Sequence, residues 1–288
     1  MYPAIDTKDP TAVEVEVQEA YRALFPQQDR LFVPKVFGWA IDCFTGNYRD
    51  YQPIDAHYHD FEHTLQGTLC MIRLLSGYHR ANANPTLTKK MFELGLLAIL
   101  LHDTGYLKER DDTEGTGAKY TLIHVNRSME FAAQLLSEKR FKKNEIQAVQ
   151  NMIRCTGVNV DLTGIPFQSE LEMTVGFALG TSDLLGQMAA DDYIDKLEIL
   201  YLEFAESARF NTGKGTATGA FASADDLRQK TPFFWEKYVI PKINRDFKGL
   251  YQYLNQPWPD GRNVYLERIA ANIERLHREL ATAQVGAA

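Results

Sequence analysis

Cysteine is scarce in this chain: Cys43, Cys70 and Cys155 are the only three in 288 residues, widely spaced and without a CxxC pair. So few, so scattered, they exclude a disulfide framework and a thiolate zinc site, and they make a reducing, cytoplasmic compartment the expectation. Long apolar runs are missing as well. The longest, Leu94 to Leu101, falls far short of the ~20 residues a spanning helix needs, so it is expected to be a buried core helix and no membrane partner is expected. The opening MYPAIDTKDP lacks the basic-then-apolar pattern of a secretory signal. Basic residues are outnumbered, 31 Lys and Arg against 38 Asp and Glu, for a formal net charge of -7. That balance argues against a nucleic-acid partner or an anionic membrane surface. It leaves room for an anionic substrate, because a bound divalent cation can reverse the field inside one site. Strand signals are nearly absent, since VEVEV is short and isolated and a lone strand leaves its backbone unsatisfied. No GxxxxGK[ST] phosphate loop occurs, and KGTATG earns no nucleotide role from its glycines.

What is there is a helical protein with material for a core: 45% hydrophobic and 24% charged residues, close to ordinary globular usage. Apolar spacing predicts helices over 11–25, 31–44, 57–80, from Thr86 or Thr88 through the HD dipeptide, 122–139, 143–155, 170–188, 191–210 and 263–281. Gly105 is placed to end the fourth of these. The expected fold is all-α, with N-terminal helices (1–50) packing on a core (51–210) and a helical extension (211–288). KERDDTEGTGAKY is a polar loop, either a lid over a site or an ordinary surface connection. Phe233, Phe234 and Trp235 fit core or dimer packing better than a base-stacking platform, and a homodimer is the oligomer to look for.

The chemistry-bearing residues fall in one stretch. All but one of the seven histidines lie between His57 and His124. In AHYHDFEHT, His59 and His63 are four apart, which on a helix puts both rings on one face, able to serve one site as ligand and neighbouring proton donor. The plain alternative is a set of surface or capping histidines at a helix start. His102 and Asp103 end an almost wholly apolar helix, where a bare imidazole and carboxylate are costly unless something pairs with them. A divalent metal would; so would a helix N-terminus for Asp103 and a backbone carbonyl for His102. Asp183 interrupts a third apolar run, whereas Asp191 and Asp192 look solvated.

The order His63, His102-Asp103, Asp183, each on its own helix, resembles the HD superfamily of metal-dependent phosphohydrolases, over roughly Ala56 to Met188. YHDFEHT is similar to the YHNxxHA signature of class I cyclic-nucleotide phosphodiesterases, with Asp60 in place of the asparagine. The resemblance implies an HD-domain helical bundle in which His63, His102, Asp103 and Asp183 bind metal, Asp103 able to bridge two ions, and His59 is the general acid. His124, opening HVNRSMEFAAQLL, is the candidate second-site ligand, or else a solvent-facing residue of a helix start. Lys119 and Arg127 flank it as candidate holders of phosphate oxygens, or as solvated charges. Where the HD-GYP branch has a His-His pair this chain has Cys155 and Thr156, and Gly164-Ile165-Pro166 only echoes its GYP element. Tyr106 stands near where class I phosphodiesterases carry a further histidine, and their purine-clamping glutamine has no counterpart to assign.

What the resemblance implies is hydrolysis of a small phosphoester, a nucleotide or a related phosphomonoester or phosphodiester, by metal-activated water with His59 protonating the leaving oxygen. Manganese, iron, zinc, nickel and cobalt all accept such ligands, as one ion or two. Two rivals stand beside it: a di-iron oxygenase similar to inositol oxygenase, which wants more second-site histidines than His124, and a catalytically idle HD domain used for sensing.

Overall fold

The computed structural model describes residues 2–27, 29–211 and 221–286. Two helices form its centre. α4, Lys89–Leu101, is apolar all round and buried from Phe92 onward, which suits a helix enclosed on every side rather than lying on a surface. α3, Phe61–Arg80, is buried almost continuously from His63 to Tyr78. Along α3 packs α7, Glu170–Met188, and α4 lies against both.

The other helices shield this centre. α1, Pro10–Leu24, turns Val13, Val17 and Tyr21 inward onto α3 and leaves Val15 exposed. α2, Phe32–Phe44, covers part of α4. α5, His124–Glu138, and α6, Lys143–Arg154, form a pair, with α6 also on α4 and α7. α8, Leu197–Phe210, α9, Ala224–Phe234, and α10, Val264–Gly286, complete the shell. The fold is all-α: about two thirds of the residues are helical, with ten α-helices and no strand among those described. Among the described residues, pairing between extended segments is limited to two isolated bridges, Tyr51 with Glu109 and Gln256 with Arg262. One apolar core runs from Val13 to Leu276, and the three cysteines are buried in it as free thiols. No helix among the described residues is long and apolar enough to cross a membrane.

Several boundaries differ from expectation, each for a local reason. The third helix begins at Phe61, not His57, because the Asp60 carboxylate accepts the His63 amide at 2.8 Å and caps the helix there. α8 begins at Leu197, since 191–196 is a chain of turns. Gly105 is not the stop of α4, which ends at Leu101. A Cβ at Gly105 would lie 2.0 Å from the His124 carbonyl oxygen, so its smallness instead lets α5 approach. Beyond α9, WEKYV and KINRD are π-helical. Phe233 and Phe234, which end α9, are exposed, which removes them from the core, while Trp235, which opens WEKYV, packs against it. KGTATG lies outside the described residues.

Candidate metal centre

Four side chains from three helices converge. His63 comes from the first turn of α3, His102 caps the C-terminal end of α4 with Asp103 next to it, and Asp183 lies in the last turns of α7. His63 Nε2 stands 3.2 Å from Asp103 Oδ2 and 3.2 Å from Asp183 Oδ1. His102 Nε2 stands 3.2 Å from the same Asp103 oxygen and 3.5 Å from the same Asp183 oxygen. Donor atoms ~2.1 Å from a shared transition-metal ion stand about 3.0 to 3.4 Å apart, the edges of an octahedron or tetrahedron of that radius. The observed spacings are of that size. His63, His102 and Asp103 can each offer one ligand atom within 4.8 Å of the others.

The hydrogen bonding fits the same arrangement. His102 Nδ1 meets the Ile99 carbonyl oxygen at 2.7 Å, so that nitrogen carries a proton and Nε2 is the atom turned to the cluster, with a lone pair to offer once a cation displaces its own proton. Yet His102 Nε2 and Asp103 Oδ2 are both buried with no hydrogen-bond partner, the condition that a bound cation relieves. Burial works to lower the His63 pKa, but the carboxylates of Asp103 and Asp183 more than offset it and hold it up to about 9. His102 is likewise held well above its usual range against burial. Burial pushes the two carboxyls up, and the imidazoles overcome it to hold both well below the carboxylate range. The four groups satisfy one another's charge with protons, and a cation would take the protons' place.

His59 is not on α3 with His63, since it precedes the capping Asp60. It reaches the cluster nonetheless: its ring centroid is 5.3 Å from that of His63. Glu203 of α8 holds it there, with Oε2 2.6 Å from His59 Nδ1 and Oε1 accepting the Tyr58 amide at 2.8 Å. Burial raises the Glu203 pKa but the neighbouring His59 lowers it further, so this buried carboxyl stays ionised. Tyr58 donates its hydroxyl to Gln187, whose amide nitrogen lies 3.1 Å from the Asp183 carbonyl oxygen, which braces the end of α7. His57 is exposed.

His124 opens α5 as expected, with Nδ1 2.7 Å from the Thr121 carbonyl oxygen and Nε2 3.8 Å from Asp103 Oδ1. It therefore faces the Asp103 oxygen that His63 and His102 do not use. Burial holds it below the usual imidazole range, against the pull of Asp103, so it is neutral at physiological pH. Lys119 and Arg127 are engaged elsewhere. Lys119 pairs with Asp112 and donates to the Glu114 carbonyl. Arg127 donates to the Gly105 and Leu107 carbonyls at 2.7 and 2.8 Å, its guanidinium lying over the Tyr120 ring. The loop that carries Lys119 is pinned to α8, because Glu206 accepts from both the Thr116 amide and hydroxyl.

Glu203 was not singled out in the sequence. Its one sign there is a carboxylate four residues before Ser207, both buried on the inner side of α8, and its partner is 144 residues away. A narrow crevice lined by Tyr58, His63, Gln187 and Lys196 reaches the cluster. A cavity of about 700 Å³ opens elsewhere, between the N-terminal segment, α3 and α10; it touches Glu62 and Arg73 but no member of the cluster, so the chemistry places the site at the cluster. No curated protein matches the chain. Residues 12–270 match the family described as Npun_R2479-like, nine tenths of the sequence, and the chain belongs to that family.

Proposed function

We propose that the chain is a metal-dependent phosphohydrolase of the HD type, acting on a small phosphoester such as a nucleotide. The observation that carries this reading is the convergence of His63, His102, Asp103 and Asp183 at ligand-edge spacings, with His102 Nε2 and Asp103 Oδ2 orphaned in the interior. The order of these residues along α3, α4 and α7, and the resemblance of YHDFEHT to a phosphodiesterase signature, support it from the sequence side.

A divalent cation held by the four residues would acidify water from a pKa of ~15.7 towards ~7 and polarise a phosphoryl oxygen. Asp103 keeps one oxygen towards His63 and His102 and turns the other to His124, which suits it to orient the attacking water. His59 has its Nδ1 taken by ionised Glu203, so a proton on Nε2 is the one it can give. The Glu203 carboxylate fixes the ring's orientation through Nδ1 and so turns Nε2 towards the place where the alkoxide would depart. The surrounding core excludes bulk water, which strengthens each of these interactions.

Metal analysis of the purified protein, paired with hydrolysis of an aryl phosphodiester and a panel of nucleotides, tests the reading for wild type and Asp103→Ala. Bound transition metal and phosphoester hydrolysis, both lost in the variant, are expected. Metal without hydrolysis would move the assignment to the oxygenase or sensing alternatives. A wild-type protein that takes up no metal would sink it.

A further inference from the structure

Between His59 and His124 the structure holds a third ring. Tyr106 is fully buried in the 3-10 turn Thr104–Tyr106 that follows Asp103. Its centroid lies 4.5 Å from that of His59, with 12° between the planes, and 4.7 Å from that of His124, with 22° between the planes. The two imidazoles are 6.2 Å from each other. Rings stacked on opposite faces of the tyrosine would be separated by nearly the sum of the two stacking distances. The much shorter observed separation puts both imidazoles on one face, side by side, each offset-stacked in the arrangement aromatic quadrupoles favour.

Each imidazole is hydrogen-bonded through its Nδ1, that of His59 to Glu203 and that of His124 to the Thr121 carbonyl, and its other neighbours, Tyr58 and His63 for His59 and Asp103 for His124, meet it edge-on or at 3.8 Å. A single in-plane hydrogen bond leaves a ring free to tilt about it, and a flat surface beneath removes that freedom. The backbone that carries the ring is held closely. Gly117 comes so near that a Cβ there would lie 2.1 Å from the Tyr106 carbonyl oxygen, and the Asp55 carboxylate fixes the Gly117 amide at 2.7 Å. The hydroxyl, by contrast, is buried without a hydrogen-bond partner. Burial, with the Asp103 and Glu203 charges, keeps that phenol protonated far above its usual range, so it is not a base.

We propose that Tyr106 is a positioning residue whose ring face, not its hydroxyl, holds His59 and His124 in one layer beside the metal cluster. Its catalytic consequence rests on the hydrolase reading: His59 must meet the leaving oxygen, and a misplacement of ~1 Å can cost about 100-fold.

The test compares Tyr106→Phe and Tyr106→Leu with wild type on two phosphodiesters, one with an alkyl leaving group and one with p-nitrophenolate. An alkoxide needs a proton to depart and the stabilised phenolate does not. Tyr106→Leu is expected to slow the alkyl ester by about 10- to 100-fold and the aryl ester by less than about 3-fold, while Tyr106→Phe stays within about 2-fold on both. Equal losses in Phe and Leu, or equal losses on the two esters, overturn the proposal. A second readout needs no turnover: imidazole proton resonances, assigned by their disappearance in His59→Gln and His124→Gln. Protons over a ring face are shielded, so both histidines are expected to show upfield shifts in wild type and Tyr106→Phe. Unshifted resonances in wild type overturn the platform even where Tyr106→Leu does not fold. Wild type that hydrolyses neither ester but retains the shifts would remove the hydrolase reading and leave the platform standing.

Discussion

The two sides of the centre are satisfied in different ways. On the closed side, the side chains of His63, His102 and Asp103 are 4%, 1% and 2% exposed, and they face chiefly one another and Asp183. On the open side, His59, Asp183 and His124 are 15%, 13% and 18% exposed. There the protein supplies a further partner for each: Glu203, Gln187 and the Thr121 carbonyl. His102 is anchored too, by Nδ1 on the Ile99 carbonyl, but the atoms that face inward, His63 Nε2, His102 Nε2 and Asp103 Oδ2, have chiefly each other and Asp183, and demand a cation or protons. Groups already anchored at one atom have the other free for a ligand or substrate. On the proposed function, the closed side would hold the cation and the open side would act on the substrate.

The largest effect should come from removing the closed side's shared acceptor. Asp103→Asn takes the negative charge from between two buried imidazoles, and breaking such a buried set costs about 3 to 5 kcal/mol. Asp183→Asn, with water able to reach that residue, should cost about half as much or less. Urea denaturation of both variants with a chelator present, beside metal content without one, measures the difference. Equal costs would erase the distinction between the two sides.

Next in size is Glu203→Gln. It leaves all four cluster residues in place, so metal content should be unchanged, while hydrolysis of an alkyl phosphoester falls by about 100-fold. Loss of metal in this variant would show that the open side also holds the ion.

That residue also marks where the sequence stops being informative. His63, His102-Asp103 and Asp183 could be picked out because each is a polar group set into an apolar helical run, a local signal of cost that something must offset. The all-α fold was legible for a similar reason, since helical apolar spacing recurs and strand alternation does not. Glu203 sits among Glu198 and Glu206 in an ordinary amphipathic stretch, and only the tertiary fold brings it to His59. The stack on Tyr106 is likewise a long-range fact about the 3-10 turn after α4. The starts of α3 and α8 were misplaced because capping by Asp60 and the turns of 191–196 override an apolar spacing that continues through both.

The pH response separates the sides in a third way. His63 has its folded pKa raised from 6.5 to about 9, with His102 raised in the same direction. A raised imidazole contributes stability that is complete below its unfolded value and fades as pH climbs through its folded one. Asp103 and Asp183, both depressed, contribute stability that is present above the usual carboxyl range and lost on acidification. Chelator-treated protein should therefore lose stability as pH rises from 6.5 towards 9. Metal-saturated protein should not, because the cation binds the deprotonated rings, and metal affinity should rise across the same window. Thermal melts through that range, with chelator and with excess metal, would separate; superimposed curves would mean that no cation replaces those protons.

The smallest effects test what stands outside the centre. Arg127 and Lys119 were candidates for holding phosphate, but Arg127 ties the Gly105 and Leu107 carbonyls to α5 and Lys119 ties the 108–120 loop to itself. Arg127→Met should cost about 1.5 to 3 kcal/mol, the usual worth of hydrogen bonds from a charged donor. Lys119→Met should cost about 1 to 3 kcal/mol, since its ion pair with Asp112 is only 10% and 19% exposed. Neither should raise the KM for a phosphoester by more than about 2-fold, since a guanidinium spent on carbonyls brings little charge to a substrate. A KM increase of 10-fold or more in Lys119→Met, with stability intact, would mean that Lys119 leaves Asp112 when substrate binds. The open side would then extend across the 108–120 loop, and the closed triad would be the one fixed part of the site.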